Sequence, residues 1–283
     1  MTSAALETER GRIEYTRRGE GPVALIVHGG NGNCYTDVRQ STLIDNGFSV
    51  LVPSRPGYGK TPRCLGRTAG EQAEVLKRLI DGLSIDGVSL IAVSAGGPTG
   101  LEFAKRYPDL CDCLVLEEAV SKTWIPRLSP QYWAMKYIFD PRRQARLWES
   151  QRRELSENPE RHLIKLARRF STLEPGKVLE DWDGEDRRFY ARMLDSFEAD
   201  SGFVFTMDHR ASELETIGVP TLIIHSRFDR NVPFSHARYA HEMIKGSALW
   251  AAPTLSHLLY MGSRKNEVLE RRLEFLAGSC SRR

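Results

Sequence analysis

V-S-L-I-A-V-S-A-G-G, residues 88–97, is the most informative segment of this sequence. Its first six residues form an apolar run typical of a buried strand, and the following glycines favour a tight turn into a helix near Pro98. Ser94 lies at that turn. A nucleophile at a sharp strand-to-helix turn needs small residues two positions before and after it, as Ala92 and Gly96 are. The segment therefore predicts a strained serine whose hydroxyl stands clear of the sheet, although a helix N-cap serine is the structural alternative.

The same strand-helix pattern recurs along most of the chain. Near-continuous Val/Ile/Leu runs suit strands covered on both faces of a parallel sheet, and they lie at 23–27, 49–52, 88–93, 113–116 and 220–224. Amphipathic patterns predict helices at 70–83, 98–107, 236–245 and 266–277. Residues 4–17 favour an antiparallel hairpin at the sheet edge. We therefore predict the α/β class, with a doubly wound, mostly parallel sheet.

The alternation stops between 121 and 207, where the sequence becomes helical, charged and rich in aromatic residues. We interpret residues 1–120 and 208–283 as the core domain and 121–207 as an inserted helical cap. Trp124 and Trp133 in the cap, together with Asn31 of the core, are candidate substrate-pocket residues. Aromatic side chains in a helical insertion are more often part of its own core.

Composition excludes several classes of function. The 283 residues carry a net charge of only +3, and basic residues alternate with acidic ones, so nucleic-acid binding is not indicated. The most basic stretch, 141–169, is interpreted as a solvated helix face. No run approaches 18 apolar residues, and the N-terminus lacks a signal-peptide pattern, so no membrane partner is expected. Oligomeric state cannot be inferred.

The five cysteines show neither CxxC spacing nor a paired histidine motif. They therefore predict neither a disulfide framework nor a metal site. Cys111 and Cys113 lie in an apolar run and are expected to be buried thiols. Together with the absence of a signal peptide, this favours a reducing, cytoplasmic setting for a soluble protein.

Two downstream residues can activate Ser94. A serine hydroxyl needs a neighbouring base, and that base needs an acid to fix its tautomer. Asp229, in H-S-R-F-D-R-N-V-P after the 220–224 strand, is the candidate acid, and a surface-loop aspartate is the alternative. His257, in a loop after the last predicted strand near 248, is the candidate base. The order Ser, Asp, His across successive strand ends favours a catalytic triad over three unrelated residues.

A glycine-rich turn, H-G-G-N-G-N at 28–33, follows the first parallel strand. Its glycines let backbone N–H groups approach a ligand. The Gly30 N–H, with that of Asn31 as a neighbouring candidate, and the Ala95 N–H are predicted oxyanion donors; a turn without catalytic function is the alternative. Neither nucleotide-binding motif is complete. The G-x-G-x-x-G motif lacks its last glycine because position 35 is tyrosine, and the Walker motif lacks its first glycine because position 54 is serine.

These segments, with S-R-P-G-Y-G-K-T at 54–61, resemble the α/β-hydrolase superfamily in its serine-nucleophile branch with a helical cap. Order and spacing match along nearly the whole chain outside the cap. The 54–61 loop is similar to the family's D-x-R-G-x-G loop and is expected to be structural. Ala92 and Ser256 replace glycines common in the family. The resemblance implies no metal and no organic cofactor.

The resemblance implies an enzyme that cleaves an ester-type bond of a small molecule through an acyl-enzyme intermediate. Similar proteins cleave carbon–carbon bonds of ring-fission diketone acids, hydrolyse lactones or act as lyases, and these activities stay open for this chain. So does a non-catalytic, ligand-binding member of the fold. The arginines and aromatic residues of the cap could also seat a flat acidic substrate, such as a carboxylate-bearing monoester.

Overall fold

The core of the protein is an eight-stranded sheet with the strand order β1-β2-β4-β3-β5-β6-β7-β8. The computed structural model describes residues 2–198, 200 and 202–280. The strands are β1 (Ala4–Thr8), β2 (Gly11–Arg18), β3 (Val23–Val27), β4 (Ser49–Pro53), β5 (Val88–Val93), β6 (Cys111–Glu117), β7 (Thr221–Ser226) and β8 (Ala248–Ala252). β1, β2 and β4 pair antiparallel, and the other pairings are parallel. The predicted fold class and the edge hairpin are confirmed.

Helices cover both faces of this sheet. They are α1 (Ser41–Asp45), α2 (Ala69–Gly82), α3 (Gly97–Arg106), α10 (Ser235–Met243) and α11 (Lys265–Cys280). Neighbouring strand residues point to opposite faces, so Leu25 packs in the cluster with α2, α3 and α10, whereas Ile26 packs in the cluster with α11. This two-sided burial explains why the strands are apolar at every position. Cys111 and Cys113 of β6 are buried, as predicted.

Six further helices lie between β6 and β7 in the chain. They are α4 (Pro130–Ile138), α5 (Pro141–Glu157), α6 (Pro159–Phe170), α7 (Pro175–Asp181), α8 (Gly184–Asp195) and α9 (Gly202–Thr206). Their aromatic side chains are largely buried against one another and share a hydrophobic cluster with the α11 side of the sheet. We call α4 to α9 the helical segment. The division into a core and a cap at 121–207 stays a prediction.

Parallel strands bring distant parts of the chain to one edge of the sheet. Because β3, β5, β6, β7 and β8 all run in one direction, the turns that follow them meet at their carboxyl ends. These turns carry His28, Ser94, Glu118, Asp229 and His257. In the part of the chain that the structure describes, no helix combines the length and apolarity needed to cross a bilayer.

Candidate active site

Ser94 occupies a strained turn between β5 and α3. Its φ of 50° lies in the left-handed region that non-glycine residues rarely adopt. The turn is tight on its inner side: a Cβ on Gly96 would lie 2.4 Å from the Val27 carbonyl oxygen. On the other side, a Cβ on Gly100 would lie 2.5 Å from the Ala92 Cβ. The alanine that replaces the family's usual glycine is therefore accommodated by a glycine on α3.

The three side chains predicted to act together lie within hydrogen-bonding distance. His257 Nε2 is 3.0 Å from Ser94 Oγ, and His257 Nδ1 is 2.6 Å from Asp229 Oδ2. If Nδ1 carries the proton, it donates to Asp229 and leaves Nε2 free to accept from the Ser94 hydroxyl. The imidazole also stacks on the Phe170 ring, with 5.5 Å between centroids and 11° between planes. This geometry is that of a serine nucleophile with its base and acid.

Asp229 is fixed by backbone donors. Its Oδ1 accepts from the N–H groups of Asn231 at 2.7 Å and Val232 at 2.8 Å, which leaves Oδ2 for His257. Burial alone would raise the pKa of this carboxyl. The nearby His257 charge and hydrogen bonds instead hold the Asp229 pKa well below its ordinary value. Asp229 is therefore expected to be ionised at neutral pH.

Two further titratable residues surround Asp229, and sequence reasoning did not identify either as part of the site. Glu118 follows β6 with a φ of 49°, and its Oε2 lies 3.0 Å from His225 Nε2 and 3.9 Å from His257 Nδ1. Burial and the Asp229 charge raise the pKa of Glu118 well above its ordinary value. A protonated Glu118 beside an ionised Asp229 follows. The sequence did contain a signal for Glu118, since this residue directly follows the buried strand β6, whose carboxyl end lies at the same sheet edge as Ser94.

The 28–33 turn lies directly against Ser94. A Cβ on Gly29 would be 3.2 Å from the Ser94 Cβ, and one on Gly30 would be 3.7 Å from the Ala95 Cβ. The 28–33 turn therefore packs against the turn that carries Ser94 and Ala95, and the roles of the Gly30 and Ala95 N–H groups as oxyanion donors stay predictions. His28 anchors this turn, since its Nδ1 donates to the Gly29 carbonyl at 2.8 Å. Burial lowers the pKa of His28 well below its ordinary value, so the ring stays neutral.

The 54–61 loop holds the other side of the same turn. Arg55 donates from its backbone N–H to His28 Nε2 at 3.0 Å and from its guanidinium to the Gly29 carbonyl at 3.0 Å. Tyr58 packs edge-on against His28 and hydrogen-bonds Thr206 of the helical segment at 2.8 Å. These contacts agree with the structural role expected for this loop.

A cavity of about 350 Å³ opens next to Ser94 and His257, between the sheet edge and the helical segment. Asn31 and Trp124 line it, as predicted, and Trp124 Nε1 donates to the Asn231 carbonyl at 2.7 Å. The prediction for Trp133 was wrong. Its side chain is 63% exposed on α4 and does not reach the cavity, whereas its neighbour Tyr132 is buried. Adjacent helical residues point about 100° apart, so only one of the two can face inward.

The cavity wall includes polar residues of the helical segment that sequence reasoning missed. They are Gln151, His162, Lys165, Arg169 and Tyr190. The sequence around His162 is polar and helix-like, yet this side chain is buried and its Nε2 lies 2.8 Å from the Tyr190 hydroxyl. Part of the basic stretch 141–169 thus faces the cavity, although the interpretation as a solvated face holds for most of its charges.

Two clusters among the described residues have side-chain atoms close enough together to hold a metal ion. The first cluster is Glu118, Asp229 and His257, and the second is Asp183, Glu185 and Asp186. In the first cluster, the Asp229–His257 hydrogen bond already uses the facing atoms. In the second, Arg39 and Lys265 supply the positive charge, with Nη2 and Nζ at 3.1 and 2.8 Å from Asp186 Oδ1. Neither cluster needs a metal ion to balance its charge.

Comparison with known proteins agrees with the fold. The sequence model of the alpha/beta hydrolase fold family matches residues 22–263, so the chain belongs to that family. It is 32% identical over 270 residues to the uncharacterized hydrolase YcgS of Bacillus subtilis (strain 168), covering 94% of this chain and 95% of the relative. An alpha/beta hydrolase fold protein from Nakamurella multipartita superposes with a TM-score of 0.82 at 26% identity, over 97% of this chain and 99% of that structure.

A third relative is similar over a shorter stretch. The 2-hydroxy-6-oxo-6-phenylhexa-2,4-dienoate hydrolase of Comamonas testosteroni is 30% identical over 112 residues, which are 37% of this chain and 38% of that protein.

Proposed function

We propose that the protein is a serine hydrolase that cleaves an ester-type bond of a small molecule. The observation that carries this proposal is the continuous hydrogen-bonded series from Ser94 through His257 to Asp229, whose nucleophile end opens into a cavity. A cavity of about 350 Å³ is the size of a small-molecule site. The family membership supports hydrolysis in general terms.

In the proposed reaction, His257 Nε2 takes the Ser94 proton as Oγ attacks the substrate carbonyl carbon. The carbonyl π electrons move to the oxygen, and the N–H groups of Gly30 and Ala95 stabilise the resulting oxyanion. Collapse of this intermediate breaks the bond to the alcohol, which leaves with the proton from His257. Asp229 stabilises the imidazolium during both transfers.

Deacylation repeats the same steps with water as the nucleophile. Water gives a proton to His257 and attacks the acyl carbon, and Ser94 leaves with that proton, so the enzyme returns to its starting state. We propose that residues 121–207 act as a cap during this cycle. Phe170 and Phe203 of the helical segment line the cavity beside the reacting groups and would limit entry of bulk water.

Kinetic measurement with p-nitrophenyl acetate tests the proposal. Ser94→Ala should lower kcat by about four orders of magnitude, because removing one member disables a triad that acts as a unit. The matched control is Ser41→Ala, at an exposed serine on α1, which should keep wild-type kcat. A fluorophosphonate probe should label wild type and Ser41→Ala but not Ser94→Ala. Unchanged turnover in Ser94→Ala would refute the proposal, and a folded wild type that the probe does not label would favour a ligand-binding protein.

A carbon–carbon bond hydrolase is the second candidate. The similarity to the Comamonas testosteroni enzyme, whose name gives a dienoate as its substrate, favours this candidate over a lyase or a non-catalytic protein. Parallel assays with p-nitrophenyl acetate, an aromatic monoester acid and a diketone acid distinguish it from the esterase. A kcat/KM for the diketone acid at least tenfold above both esters would replace the ester proposal.

A further inference from the structure

Arg169 is a cation in the cavity wall without an acidic partner. It lies in the last turn of α6 and lines the cavity. Within the described ranges, no carboxylate pairs with it and no hydrogen bond fixes it. Its neighbours are the rings of Phe139 and Phe170, with centroids 5.3 and 5.5 Å from Cζ.

The surroundings of Arg169 favour an anion as its partner. Desolvation lowers the pKa of Arg169, and the Tyr190 phenol acts in the other direction. Contacts with the Phe139 and Phe170 rings stabilise the cation in part, and a carboxylate in the cavity would add a charge-assisted hydrogen bond.

The nearby basic residue in the wall differs from Arg169. Lys165, one turn earlier on α6, also lines the cavity, but its ammonium pairs with Glu154 of α5. This ion pair is the main reason why the pKa of Glu154 is lowered. The Lys165 charge is therefore balanced within the protein. Among the lysines and arginines that line the cavity in the described part of the chain, Arg169 is the one without an ion pair.

We infer that Arg169 binds a carboxylate of the substrate, so that the enzyme acts on esters that carry a free acid group. This inference rests on the proposed function for the identity of the cleaved bond. The planar guanidinium fork matches a carboxylate in a bidentate manner. One guanidinium fork pairs with one carboxylate, whereas a phosphate monoester would bring close to two negative charges. A monoester of a dicarboxylic acid is the substrate class that fits.

The position of Arg169 also fits the reaction. The Phe170 ring contacts both the Arg169 guanidinium and the His257 imidazole, at 5.5 Å in each case. An acid group held by Arg169 would thus lie near His257, the proposed base, because the Phe170 ring contacts both side chains. A substrate with a short spacer between its carboxylate and its ester carbonyl can reach both.

A pair of substrates of equal size tests the inference. Mono-p-nitrophenyl adipate carries the acid, and the corresponding ester with a terminal carboxamide is its neutral counterpart. For the wild type, the ratio of kcat/KM between acid and amide should exceed one. Arg169→Gln should lower this ratio about 10- to 150-fold, the range expected for a hydrogen-bonded charge pair. Arg169→Lys should lower it less, because a lysine keeps the charge and loses the fork.

Arg168→Gln is the matched control, since it removes the same charge from the exposed neighbouring residue of α6 and should leave the ratio unchanged. Arg169→Lys gives the answer if Arg169→Gln does not fold. An unchanged ratio in the folded Arg169 variant, or an equal fall in Arg168→Gln, would overturn the inference.

A binding measurement separates this inference from the proposed function. Calorimetry with adipamate on Ser94→Ala, which cannot turn over, should give a Kd at least tenfold lower than that of Ser94→Ala/Arg169→Gln. That result would support the carboxylate site even if Ser94 proved not to be the nucleophile. Equal Kd values in the two variants would overturn the carboxylate site while leaving the esterase proposal intact.

Discussion

We expect the Asp229→Asn variant to retain more activity than serine hydrolases usually retain when the acid of the triad is replaced. The amide removes the charge that stabilises the His257 imidazolium and can present N–H where Nδ1 needs an acceptor. Such a change in a serine triad typically lowers kcat by about 10⁴. Here a second carboxyl, that of Glu118, lies 3.9 Å from His257 Nδ1. We therefore expect Asp229→Asn to lower kcat by only about 10²-fold.

The magnitude follows from the charges that remain. Burial and the Asp229 charge raise the Glu118 pKa against the opposing charge of His225, and the substitution removes the Asp229 charge. The Glu118 pKa then falls, and an ionised carboxylate faces the imidazolium. Two unit charges about 4 Å apart interact by about 4 kcal/mol at an effective dielectric constant of 20. If half of that energy stabilises the transition state, the rate rises about 30-fold, and if all of it does, the rate rises about 10³-fold.

The assay is kcat for p-nitrophenyl acetate between pH 6 and 9 in the wild type, Asp229→Asn, Glu118→Gln and the double variant. Glu118→Gln alone should change kcat by less than about tenfold, because the wild-type Glu118 is already neutral. The double variant should lose about 10⁴-fold, since no carboxylate then remains beside His257. A double variant no slower than Asp229→Asn would show that Glu118 does not support the base, and thermal melting of all four proteins checks that they are folded.

Three further substitutions test the fold around the site. Gly96→Ala places a Cβ 2.4 Å from the Val27 carbonyl and should destabilise the protein by about 1–3 kcal/mol in urea unfolding, with loss of turnover; wild-type stability would contradict the tight packing of this turn. Arg272→Met should lower the free energy of unfolding by about 3–5 kcal/mol in the same assay, because it leaves the fully buried Glu117, 3.7 Å from Arg272, without its cation. A change below about 1 kcal/mol would mean that another group balances the Glu117 charge. Burial would raise the pKa of Asp208, but its hydrogen bonds and ion pairs lower it, so its ionised form stabilises the fold above the ordinary carboxyl pKa of about 4, and this contribution is lost as pH falls from there through the lower, folded pKa. Asp208→Asn should therefore be less stable than wild type at pH 7, and the difference should shrink as pH is lowered below about 4; a difference that does not change with pH would contradict this assignment.

The sheet and the placement of the three candidate catalytic residues could be predicted because they follow from local rules. Runs buried on both faces are apolar at every position, and parallel strands end at one edge. A serine at a tight turn, an acid after β7 and a histidine after β8 must then lie close together whatever the intervening sequence. The distances of 3.0 and 2.6 Å in the structure agree with that reasoning.

The rest of the site could not be predicted because it depends on which way single side chains point. Glu117 and Glu118 are adjacent in the sequence, yet one pairs with Arg272 on the α11 side of the sheet and the other faces the catalytic edge. Arg168 and Arg169 are also adjacent, and only the second faces the cavity. A sequence pattern distinguishes apolar from polar helix faces, but it cannot distinguish a polar face in water from one that lines a cavity.

The end of α6 connects the substrate wall with the base and the acid. The Phe170 carbonyl accepts a hydrogen bond from the backbone N–H of His257 at 2.9 Å. The backbone N–H of Thr172 donates to the Phe228 carbonyl at 2.9 Å. Between them, Ser171 forms a bridge to Asp229. Residues 170–172 are thus bonded to both loops that carry the proposed acid and base, and Arg169 precedes them directly. An outward motion of this part of the helical segment would break the contacts that orient His257. If the cap opens to admit substrate, we therefore expect the end of α6 to stay in place.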